Sequence, residues 1–181
     1  MSELRTNRIV PRDGLPAGSS GGIIQVKSVT KTDAESLTST TTETLIPGME
    51  VTITPTRSDS KILIMLTLQA MSGANFAGHY AVLKRGSTSI CTGDAAGSRN
   101  RVTFTFGIPS TYDQDQSTFG PGNLSITHLD SPATTSAVTY GLYHADATGT
   151  NALYINRAAT DTDSGGYERT ASSITVMEIS G

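Results

Sequence analysis

The segment Lys61-Ile62-Leu63-Ile64-Met65-Leu66-Thr67-Leu68-Gln69-Ala70 constrains this chain more than any other. It is apolar at nearly every position at first and alternates later. A run this short, with β-branched side chains and flanking Ser and Gly, reads as a strand rather than a helix. Its continuous apolar start predicts a central strand buried on both faces. Just before it, Met49-Glu50-Val51-Thr52-Ile53-Thr54-Pro55 alternates apolar and polar with period two, a half-buried strand ended by proline. The short polar link Thr56-Arg57-Ser58-Asp59-Ser60 predicts that the two pair as an antiparallel hairpin.

Further strands are expected at Ile23 to Val29, Thr40 to Leu45, Tyr80 to Lys84, Ser89 to Thr92, Val102 to Phe106, Leu124 to Leu129, Val138 to His144, Leu153 to Asn156 and Ile174 to Ile179. Arg85-Gly86-Ser87-Thr88 supplies a hairpin turn. Thr32-Asp33-Ala34-Glu35 has the spacing of a capping box and predicts one helical turn at most. About ten strands in one small domain imply two packed sheets or a barrel. Thr and Ser together supply about a quarter of the chain, which suits half-exposed pleated sheets and their turns. The expected fold is all-β, a single jelly-roll-like β-sandwich over residues 23–181.

Residues 1–22 read differently. Large apolar residues are few there, chiefly Leu4, Ile9, Val10 and Leu15, scattered among Pro11, Pro16, glycines and polar groups. No face wide enough to bury itself emerges, so such an arm gains order from a partner if at all. Leu4, Ile9 and Val10 are the candidate anchors, with Arg5 and Arg8 beside them.

The net charge of −3 provides no basic field able to hold a nucleic-acid backbone. Cys91 is the only cysteine, so no intrachain disulfide forms. No signal-peptide pattern or apolar run long enough to span a bilayer is present, and the chain is expected to be soluble and made in the cytoplasm, without membrane insertion.

Motifs for chemistry are sparse. His79, His128 and His144 lack metal-ligand spacing. Asp113-Gln114-Asp115-Gln116-Ser117 begins like a calcium loop, but Thr118 stands where glycine is needed and Leu124 where a bidentate glutamate is needed. Asp161-Thr162-Asp163 is a weaker version of the same pattern. No Gly-x-Ser-x-Gly elbow occurs, and Gly93 to Arg99 lacks the Gly-Lys-Ser/Thr ending of a phosphate loop. Paired acids for glycoside cleavage would have to converge from separate loops. The expectation is no catalytic residue, no metal and no cofactor. Long polar loops are expected at Gly93 to Asn100, Tyr112 to Asn123, Ala145 to Asn151 and Thr160 to Gly166. In or beside these loops, Tyr112, Phe119, Tyr154 and Tyr167 are candidates to stack on the sugar rings of a host-surface glycan.

Several segments together resemble small virion proteins of tailed bacteriophages, of the tail-fibre or head-decoration type found in marine and cyanobacterial phages. They are the leader Ser2 to Val10, Gly22-Ile23-Ile24-Gln25-Val26, the pair Met49 to Pro55 with Ser60 to Ile64, and the closing strand Ala171 to Ile179. The resemblance implies a β-sandwich that trimerises on the virion and attaches to capsid or tail proteins through its amino-terminal arm. An alternative places specificity in the distal loops, as a receptor-binding adhesin domain.

Overall fold

The computed structural model describes residues 22–73, 78–106 and 121–181. Among them the chain forms eleven β-strands and no helix. In order these are β1 Ile23–Lys31, β2 Glu35–Leu37, β3 Thr44–Ile53, β4 Lys61–Ser72, β5 His79–Arg85 and β6 Thr88–Ile90. There follow β7 Phe104–Thr105, β8 Gly122–Asp130, β9 Val138–Asp146, β10 Leu153–Ile155 and β11 Ser172–Ile179.

The strands make two antiparallel sheets. In sheet A, β4 is flanked by β11 and β8 over largely the same residues, β1 lies outside β11, and β10 and β2 extend the far end of β4. Sheet B runs β3-β9-β5-β6, with β7 also on β5. The long strands alternate between sheets as the chain proceeds: β1 and β4 in A, β3 and β5 in B, then β8 in A, β9 in B and β11 in A. The orders β1-β11-β4-β8 and β3-β9-β5-β6 are those of a jelly roll, the fold class expected from the sequence. The core lies between the sheets, with Ile62, Ile64, Leu66, Leu68, Ile174 and Val176 meeting Val51, Ile53, Leu83, Tyr140 and Leu142.

Three expectations need correction. First, β3 and β4 are not a hairpin; they belong to opposite sheets, and residues 54–60 arch between them. Both strands bury one face, and placing one in each sheet sets those faces against each other across the core. The arch is fastened from a distance. Glu178, fully buried on β11, accepts hydrogen bonds from Thr56 N (2.7 Å), Thr56 Oγ1 (2.8 Å) and Ser60 Oγ (2.8 Å). Gln25 Nε2 reaches both the Glu178 carboxylate (2.6 Å) and Thr54 O (2.7 Å).

Second, β4 is central in its sheet but buried on one face only. Ile62, Ile64, Leu66, Leu68 and Ala70 point into the core, whereas Leu63, Met65, Thr67 and Gln69 lie on the outer face. Third, the segment around Thr32 to Glu35 forms no helical turn. The nearly buried Lys31 ammonium pairs with Asp33 (2.6 Å) and Glu35 (2.9 Å), and Glu35 opens β2.

The segments expected at Thr40 to Leu45 and Met49 to Pro55 are one strand, β3, irregular between Leu45 and Glu50 where Gly48 takes a φ of +74°. Pro47 is tolerated within it because β3 is an edge strand. The β5–β6 hairpin forms as read, with Gly86 at φ +56° in its turn.

Candidate functional site

Leu4, Arg5, Arg8, Ile9, Val10, Tyr112 and Phe119 lie outside the described residues. Tyr154 and Tyr167 lie within them, and the structure connects them through charged residues. Tyr154 sits on β10 with the Arg157 guanidinium 4.7 Å above its ring centre. One face of this ring is therefore already occupied. Arg157 also pairs with Asp161 (2.6 Å), which is bound from its other oxygen by Arg169. Tyr167 closes the turn after Asp163, its backbone N–H donating to Ser164 O (3.1 Å). It lines an open polar cavity of about 350 Å³ with Asp161, Thr162, Asp163, Ser164 and Arg169.

The electrostatics of this cavity are set by Asp161. Partial burial works against its charge, but the hydrogen bond and charge of Arg169 and the charge of Arg157 outweigh that cost and hold the carboxyl below the usual range. Both carboxylate oxygens are engaged by guanidinium groups, which argues against the calcium pattern at this segment. What the cavity offers is a tyrosine with nearby donors and acceptors, the chemistry that hydroxyl-rich ligands use. Arg157 and Arg169 were not singled out from the sequence. Their spacing of four and eight residues from Asp161 is the only signal that could have found them.

A second polar cluster is buried at the end of the sandwich where β9 gives way to residues 147–151. Ser72 Oγ lies 2.9 Å from His79 Nδ1, and His79 Nε2 lies 4.0 Å from Asp146 Oδ2. These are the residue types of a hydrolytic triad, but each of the three residues is buried. Asp146 is engaged elsewhere: it accepts bonds from the backbone N–H of Thr148 (2.9 Å), Thr150 (3.0 Å) and Asn151 (3.0 Å), and from the hydroxyls of Thr148 (2.8 Å) and Ser39 (3.1 Å). Those bonds more than offset the cost of its burial, so the carboxyl titrates far below its ordinary value. Burial lowers the pKa of His79 against the pull of Asp146. Burial, with the charge of His79, lowers that of His144 as well. The arrangement holds a loop; it does not present a nucleophile. Among the described residues no group of three or more His, Cys, Asp and Glu side chains is placed to hold a metal ion.

The third feature is a surface. Pairing registers align Val26 with Met177, Met177 with Leu63, and Leu63 with Leu129, so one apolar row crosses four strands on the outer face of sheet A. Val26 and Leu129 are 50% and 55% exposed, and Met65 beside the row is 46% exposed. The next two rows are Ser28-Thr175-Met65-Thr127 and Thr30-Ser173-Thr67-Ser125. Lys61, at the margin and bonded to Ser131 Oγ (2.8 Å), is the charged group of these rows and their border.

No known protein family matches the chain, and no curated protein matches it. Among solved structures it is similar to the infectious bursal disease virus VP2 subviral particle, at 10% identity and a TM-score of 0.42. The match covers 97% of this chain and 46% of that one, so the chain spans about half the length of that protein. A likeness of that degree assigns neither fold nor function.

Proposed function

We propose that this chain is a structural protein of a virus particle, of the tailed-bacteriophage fibre or head-decoration type. Its jelly-roll domain associates as a trimer, and residues 1–22 dock on capsid or tail proteins through Leu4, Arg5, Arg8, Ile9 and Val10. The observation that carries this reading is the division of labour in the domain. The buried carboxylates Glu178 and Asp146 serve ties between segments, while one sheet face is left neutral and partly apolar. That is the build of a scaffold that packs against others. Jelly rolls recur in virus capsids, in lectin domains and among enzymes, so the fold contributes by analogy. The leader resembling phage virion proteins is the further support.

Deletion of residues 1–22 tests it. The shortened protein is expected to fold and self-associate but to be missing from assembled particles. Incorporation at the level of the full chain would overturn the docking role.

A second reading is favoured by the polar cavity around Tyr167. In it, the domain recognises a host-surface glycan, with the Tyr167 ring packing on a sugar and Asp163, Ser164 and Arg169 bonding hydroxyls. Binding of host polysaccharide that survives Tyr167→Ala and Arg169→Ala unchanged would remove this site from the account.

A further inference from the structure

The outer faces of the two sheets differ in kind. On sheet B, Lys84 pairs with Glu43 (2.6 Å) and lies 4.7 Å above the Tyr143 ring, and Glu50 is exposed nearby. On sheet A the rows described above hold only apolar and hydroxyl side chains, apart from Lys61 at the margin. Four strands about 4.8 Å apart and rising about 3.3 Å per residue cover about 380 Å² in projection over the six residues that the three rows span, and about 500 Å² once the Lys61 row at the margin is included. Two such faces pressed together bury about 1,000 Å², the lower bound for a specific interface.

From this we infer that the outer face of sheet A is the contact between copies of this chain. The chemistry of the rows favours a second copy over another partner. An apolar row meets its own counterpart without penalty. Hydroxyls both donate and accept, so Ser28, Thr175, Thr127, Thr30, Ser173, Thr67 and Ser125 can pair with the same set on a neighbour. The Ser28 and Thr175 hydroxyls, 2.7 Å apart, already form such a pair within one chain. Each chain carries a net charge of −3, and copies meet with least repulsion where the surface is neutral. Across a two-fold axis the face meets the same face of one neighbour, so this contact pairs chains and is separate from the three-fold association proposed above; Leu63, Met65 and Met177 line it.

The inference concerns the isolated protein and does not depend on attachment to a particle. Sedimentation and light scattering of the full chain over a concentration series test it. The wild type is expected to associate. Met65→Lys and Leu129→Lys, each at an exposed position, are expected to remain folded by circular dichroism and to weaken association at least about a hundredfold, because an unpaired ammonium is buried in the contact. Thr52→Lys, exposed on the outer face of sheet B, is expected to associate as the wild type does. A wild type that stays monomeric at the highest concentration overturns the inference. So do folded Met65→Lys and Leu129→Lys proteins that associate normally, or an equal loss in Thr52→Lys. Failure here leaves the docking role of residues 1–22 to be judged by its own deletion experiment.

Discussion

Glu178 and Asp161 are both carboxylates held below their ordinary pKa by several donors, yet they do opposite things. Glu178 is fully buried and its donors are neutral: Gln25, Thr56 and Ser60. Asp161 is 43% exposed in its side chain and its partners are two guanidinium groups at the rim of a cavity. The difference is in what can be exchanged. Nothing in the surroundings of Glu178 can replace its donors, so the charge is committed to joining the β3–β4 arch to sheet A. Asp161 faces solvent, and its arginines can re-partner with an incoming ligand at little cost.

The largest effect is therefore expected at Glu178. Glu178→Ala strips the acceptor from three residues at once and should cost about 3 kcal/mol, read as a lower denaturation midpoint in urea. The pH dependence follows in sign. Burial opposes the charge, but the bonds from Gln25, Ser60 and Thr56 pull the folded pKa from 4.5 down to about 2. Stability from this group is complete above pH 4.5 and is lost as pH falls through about 2, a decline on the order of 3 kcal/mol. Glu178→Gln should flatten that part of the acid limb. An unchanged acid limb would mean that the carboxylate does not hold the arch.

Asn156 extends the comparison to a neutral buried group. It is fully buried at a φ of +57°, and its Nδ2 donates to Lys31 O (2.8 Å) and Asp33 O (3.0 Å) while its Oδ1 accepts from Ser172 Oγ (2.7 Å). Asn156→Ala loses all three bonds and strains the backbone, at a cost of about 2 to 3 kcal/mol. Asn156→Gly relieves the strain alone and should recover roughly 1 kcal/mol of that. Equal costs for the two variants would assign the whole effect to the hydrogen bonds.

These residues also mark where the sequence was legible. Alternation located β3, β4, β8 and β11 because side-chain direction is a local property with period two. It could not assign sheets. Residues 54–60 look like a hairpin link, and what makes them an arch is Glu178, more than a hundred residues away. The apolar start of β4 suggested burial on both faces because Leu63 and Met65 are as apolar as their core-facing neighbours. Only the registers show that they join Val26, Met177 and Leu129 on an outer face. At the cavity, Tyr167 and Asp161-Thr162-Asp163 stood out by residue type. Arg157 and Arg169 did not, because a single arginine in a loop carries no pattern until its partner is placed.

The smallest stability effect is expected at Asp161, and it sharpens the contrast most. Asp161→Ala should leave the urea midpoint close to that of the wild type, since exposed ion pairs are screened by solvent. Raising the salt concentration should shrink the remaining difference. Its consequence lies in the cavity, where Arg157 and Arg169 lose a shared partner. Binding of a hydroxyl-rich or anionic saccharide, followed by calorimetry, should change in Asp161→Ala and stay unchanged in Glu178→Gln at neutral pH. A large loss of stability in Asp161→Ala would instead make this carboxylate a second structural tie, and the cavity a by-product of it.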